Sequence, residues 1–169
     1  MKRWLCLILA LFLLGTAAAC TADEPAEDKK EPETSETVPP LLNVNLETLL
    51  TPEQIGDAIG AAVGKPQMYE DDTWAHYTGT DSAATVDISM DQTTRAVFDA
   101  RAELYESRTE APFLGEVSWW NRETGELLTY GGGYTISVRV GFADPTADED
   151  MQLMATRHLT ALLIEKIAA

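Results

Sequence analysis

Between Tyr134 and Phe142 the side chains alternate without a break. Tyr134, Ile136, Val138, Val140 and Phe142 fall on one side, Thr135, Ser137 and Arg139 on the other. Successive residues of an extended strand point to opposite faces, so the stretch predicts a strand with one apolar and one polar face. Parallel sheets are buried on both faces and do not accommodate that pattern, whereas antiparallel sheets do. The expectation is an antiparallel sheet with one face on a core and the other in water.

The rest of the chain supplies partners for that strand. Ala84–Asp91 alternates in the same way, with Val86, Ile88 and Met90 against Thr85, Asp87, Ser89 and Asp91. Thr73–Thr78 precedes it across the turn-rich Gly79-Thr80-Asp81-Ser82. Glu116–Asn121 and Glu126–Tyr130 read as two further strands, with hairpin-length connections at 122–125 and at Gly131-Gly132-Gly133. Three helices are expected. Thr51-Pro52-Glu53-Gln54 has the form of a capping box with Pro in the first turn, and Ile55, Ala58, Ile59 and Ala62 follow at helical spacing until Gly64-Lys65-Pro66. Thr94–Glu106 carries Val97, Phe98, Ala102 and Tyr105 on one stripe. Glu149–Ile167 follows the acidic run Asp144–Asp150 and carries Met151, Met154, Ala155, Leu159, Leu162 and Leu163. The order α-β-β-α-β-β-β-α predicts one α+β domain over residues 41–169, an antiparallel sheet of about five strands with helices packed on it.

The N-terminus predicts location. Lys2 and Arg3 precede the apolar run Trp4–Leu14, small residues 15–19 and Cys20. Such a run is too short for the ~20 residues of a bilayer-spanning helix and fits a secretory signal over residues 1–19. Ala17-Ala18-Ala19 suits ordinary signal peptidase, and small residues before a Cys resemble a lipoprotein processing site, although Ala17 stands where Leu is usual. Either cut leaves Cys20 first. The other cysteine, Cys6, lies in the removed segment, so Cys20 would be an unpaired thiol in an oxidising compartment. The expectation is therefore a diacylglycerol on Cys20 that holds the protein to the cell membrane on its extracytoplasmic side; a soluble secreted form is the alternative. Residues 20–40 are rich in Asp, Glu, Pro and Thr, with Val38 as the one large apolar residue, and read as a disordered acidic tether.

Charge narrows the partners. The chain carries 12 Lys and Arg against 28 Asp and Glu, a formal net charge of -16. That excludes nucleic acid and opposes an anionic lipid surface. Seven acids against Lys29 and Lys30 fall in the tether, so most of the acidity belongs to the domain.

Few residues of the chain offer reactive chemistry. His76 and His158 have no second ligand at metal spacing, so neither a metal site nor a cofactor is expected. No Gly-x-Ser-x-Gly elbow occurs, and Gly131–Gly133 leads into a strand, unlike a phosphate loop. The acidic clusters at 70–72 and 144–150 lack the spacing and glycine of an EF-hand and read as solvated turns and a helix cap. One surface stands out. If Val117 marks the core side of its strand, Trp120 joins Asp87, Ser89, Ser137 and Arg139 on the polar face as a binding surface; the competing readings bury Trp120 under a helix or under the segment Leu41–Leu50, or turn Trp119 outward. Asp87 and Arg139 can also be a plain cross-strand ion pair.

From about Leu49 to Ile167 the chain resembles a family of small extracytoplasmic bacterial lipoproteins, abundant in actinobacteria, that carry a domain of unknown function. The resemblance rests on "LLTPEQIGDAIG", "WAHYTGTDSAATVDISM", "FLGEVSWW" and "LLTYGGGYTISVRV". It implies location and fold and brings no catalytic residue. Members often have a Cys near the first strand, where this chain has Asp72-Thr73-Trp74, so no disulfide is carried over. The function expected is a lipid-anchored, non-enzymatic module that binds an envelope protein, a polymer or a small ligand. The alternatives are a carboxylate-based hydrolase, with or without Ca²⁺, and an inhibitor or sensor subunit of an envelope protein.

Overall fold

A computed structural model describes residues 44–70, 72–142, 144 and 146–168. The signal segment, Cys20 and the tether lie outside the described residues. The described part is α+β, with four helices and one antiparallel sheet of seven strands.

In chain order the elements are α1 (Leu46–Leu49), α2 (Pro52–Ile59), β1 (Gln67–Tyr69), β2 (Trp74–Thr78), β3 (Thr85–Gln92), α3 (Arg95–Glu103), β4 (Arg108–Glu110), β5 (Val117–Asn121), β6 (Glu126–Gly131), β7 (Tyr134–Gly141) and α4 (Glu149–Ala168). Three of them were not expected: α1, β1 and β4, of three or four residues each. Elements so short show no period that a sequence reading can use. β1 and β4 are the two edges of the sheet, whose order is β1-β2-β3-β7-β6-β5-β4. Short edges limit pairing with other chains.

The order explains how the faces are covered. The chain lays down β1, β2 and β3 side by side, crosses to the far edge, and returns through β4, β5 and β6 until β7 closes against β3. α3 makes that crossing and packs on the face of β5 and β6, where Phe98 and Ala102 meet Leu128 and Tyr130, with Val117 and Trp119 beside them. α1, α2 and α4 cover the opposite face. There Ala75, Tyr77, Val86, Ile88, Met90, Ile136, Val138 and Val140 join Leu46, Ile55, Ile59, Leu159 and Leu163 in the main core.

Local chemistry fixes the boundaries. Thr51 accepts from Gln54 N while Gln54 returns a side-chain oxygen to Thr51 N, so the capping box is formed. α2 then ends a turn earlier than its apolar spacing suggests, because Gly60 takes a left-handed φ of 69° and its N–H bonds back to Gly56. Gly132 and Gly133 have φ of 59° and 81°, the hand that a two-residue hairpin loop between twisted strands requires. In α4 the buried face is Ala155, Thr156, Leu159, Thr160 and Leu163, and Met151 and Met154 are exposed. Thr156 and Thr160 can be buried because their hydroxyls donate to the carbonyls of Gln152 and Thr156.

Candidate functional site

Strand register brings the polar residues together in rows. One row runs across the sheet through Gln67, His76, Asp87, Arg139, Glu126 and Asn121. The next row on that face runs through Tyr69, Trp74, Ser89, Ser137, Leu128 and Trp119. Along this second row the chemistry changes from hydroxyl to apolar between Ser137 and Leu128. That is the boundary of α3: the face is apolar where the helix lies on it and polar beyond.

The uncovered part is concave. A space of about 270 Å³ is bounded by Asp87, Ser89, Ser137 and Arg139 on β3 and β7, by Glu70 and Trp74 from the first hairpin, and by Arg101 of α3 with Asp91 and Glu126. Asp87, Ser89, Ser137 and Arg139 therefore share one surface. Trp120 does not join them. It is 1% exposed on the opposite face, packed with Ala111, Leu114 and Leu127 near Leu153 and Ile164 of α4, and its indole N–H donates to Glu149 at 3.0 Å. Val117 packs under α3 and does not mark the main core, which puts Trp120 on the other side of β5. Trp119 shares Val117's face, half-buried with the Arg108 guanidinium 4.9 Å over its ring. The aromatic wall of the concavity is instead Trp74, whose ring lies 4.9 Å from that of Tyr69.

An ionic network forms the floor. Asp87 receives His76 Nδ1 at 2.7 Å on one oxygen and Arg139 Nη2 at 2.8 Å on the other. Burial acts to raise the pKa of Asp87, but hydrogen bonds from His76 and Arg139, with their charges, outweigh it and hold the carboxyl below its ordinary value. The pair foreseen between Asp87 and Arg139 is thus one side of a triad with His76. Glu126 takes Arg101 Nη2 at 3.1 Å and the Ser137 hydroxyl on the same oxygen. Arg101 also approaches Asp91, at 3.7 Å. Sequence reading missed His76, Trp74, Arg101 and Glu126 here. The parity of β2, with Ala75 and Tyr77 buried, was a signal that could have placed Trp74 and His76 on this face.

Among the described residues no three His, Cys, Asp or Glu side chains gather as metal ligands, and no helix is long and apolar enough to cross a membrane. Comparison of the chain with protein-family models, curated proteins and solved structures gives no match. The chemistry of the concavity therefore has to be read from its own residues.

Proposed function

We propose that this protein is a non-enzymatic binding module, anchored through a lipid on Cys20 to the extracytoplasmic side of the cell membrane, whose ligand surface is the open half of the sheet. The observation that carries the surface is the incomplete cover. α3 closes β5 and β6 and stops, leaving a walled concavity over β3 and β7 with an aromatic side chain at its rim. Polar groups held in fixed positions beside an aromatic ring suit recognition.

A hydrolase using paired carboxylates is less well supported. Both oxygens of Asp87 are taken up by Arg139 and His76, and the shift of its pKa is downward, the direction of an ion-paired carboxylate and opposite to that of a general acid. One oxygen of Glu126 is likewise held by Arg101 and Ser137. The network works as scaffold.

The anchor rests on the sequence around Cys20 and on the acidic tether, which would keep the domain away from lipid headgroups. Intact-mass measurement of the mature protein from a membrane fraction should show a diacylglycerol adduct on Cys20; an unmodified soluble product would remove the anchor. For the surface, a panel of cationic, neutral and anionic small molecules is titrated while tryptophan fluorescence is followed, in the wild type and in Trp74→Phe. A response that disappears in Trp74→Phe is expected. Responses identical in both proteins would place binding elsewhere.

A further inference from the structure

The groups already engaged can be subtracted from the concavity, and the remainder defines what it lacks. Asp87, Arg139, Glu126 and Ser137 hold each other or their neighbours. Among the described residues the Glu70 carboxylate and the Ser89 hydroxyl have no partner, and Asp91 has only the approach of Arg101 at 3.7 Å, too long for a hydrogen bond. Four carboxylates line the space against two guanidinium groups. The excess charge lining the space is therefore negative, with hydrogen-bond acceptors left at Glu70 and Asp91, and an indole ring shares the lining.

From this we infer that the open half of the sheet binds an organic cation of the lysine-ammonium type, seated against Trp74 between Glu70 and Asp91. The inference rests on the proposed binding role of this surface and names its ligand class. Each part has a physical reason. An ammonium group brings donors and no acceptor, which matches Glu70, Asp91 and Ser89. The face of a Trp ring attracts a cation, and more strongly once the cation is desolvated. The space of about 270 Å³ lies below the roughly 300 Å³ at which drug-sized pockets begin, so the occupant is the size of one side chain. The acidity of the domain, 21 Asp and Glu against eight Lys and Arg over residues 41–169, concentrates cations around it and disfavours anions.

Calorimetric titration of the full chain tests this with three probes of similar shape: Nα-acetyl-lysine methylamide, its neutral norleucine analogue and its anionic glutamate analogue. The lysine probe should bind at least tenfold tighter than either of the others, and more weakly as salt is raised. Glu70→Gln and Asp91→Asn should each weaken it three- to tenfold, and Trp74→Leu by at least as much, with melting temperatures unchanged for the two acid variants. Lysine binding that these variants leave unaltered would mean diffuse attraction to an acidic surface and would overturn the inference. If the neutral or anionic probe binds better and Trp74→Leu abolishes it, the cation class is wrong while the surface stands. If no probe binds, the cation inference falls, and a silent fluorescence panel beside it would take the proposed binding role as well.

Discussion

Two rows of the same sheet, one residue apart, have opposite chemistry. On the α4 side Met68, Ala75, Ile88, Val138, Leu127 and Trp120 run across six strands as an apolar band. On the other side the row beside it is Gln67, His76, Asp87, Arg139, Glu126 and Asn121. The first row is held by removal of apolar area from water, at about 25 cal/mol per Å². The second is held by charge pairs that are partly solvated, a type of contact worth about 1 kcal/mol or less each. Stability therefore resides on the α4 face and under α3, and the open half of the polar face contributes little to it.

Substitutions should separate the two faces, and the largest effect belongs to the apolar band. Trp120→Ala should lower the unfolding free energy by about 3–5 kcal/mol in urea titrations. Its loss should leave ligand affinity at the polar concavity unchanged under conditions where the variant is folded. A variant that unfolded no more easily would show that the band is not what holds the sheet.

Phe98→Ala probes the boundary between covered and open halves. Phe98 is fully buried against Leu128 and Tyr130, so its truncation should cost about 3 kcal/mol. It should also expose the apolar part of the row at Leu128 and Trp119, read as increased binding of a hydrophobic dye. A destabilisation below about 1 kcal/mol would mean that α3 contributes little to closing that half.

Asp87→Asn addresses the ionic row through pH. The folded pKa of Asp87 lies below its ordinary 3.8, so the charge-linked stability is present above that value and is lost as pH falls through the folded pKa. At neutral pH the variant should be less stable by about 1–2 kcal/mol, and the two proteins should converge in acid. Thermal melts at neutral pH and below pH 3 check this; a constant difference across the range would show that Asp87 is not what titrates.

The smallest effect is expected at Phe113, which is 95% exposed with a φ of 73°. Left-handed backbone at a bulky residue costs about 1–2 kcal/mol, and no burial compensates it. Phe113→Gly should therefore leave the melting temperature unchanged or raise it slightly, since glycine's own entropy cost offsets part of the relief. A fall of several degrees would mean that the ring packs after all.

The same comparison explains what the sequence made legible. β3 and β7 were readable because their two faces meet different surroundings, main core on one side and water on the other. β5 and β6 are covered on both faces, so Ser118, Trp120, Leu127, Leu128 and Thr129 are all buried and alternation no longer reports which side is which. That is why Trp120 was assigned to the wrong face while Asp87, Ser89, Ser137 and Arg139 were grouped correctly in space. The Ser118 and Thr129 hydroxyls bond to each other at 2.9 Å, and that pairing removes the usual penalty that makes a polar residue read as exposed. Arg101 could not be foreseen at all, since it reaches the concavity only through the crossing of α3.

The most direct test of the division between a stabilising face and a proposed binding face uses the tryptophans as reporters on both. In ¹H–¹⁵N spectra of the indole groups, titration with Nα-acetyl-lysine methylamide should move the Trp74 signal and leave those of Trp119, under α3, and Trp120, in the core, where they were. A Trp74 signal that stays fixed, or a shift at Trp120 instead, would contradict the account.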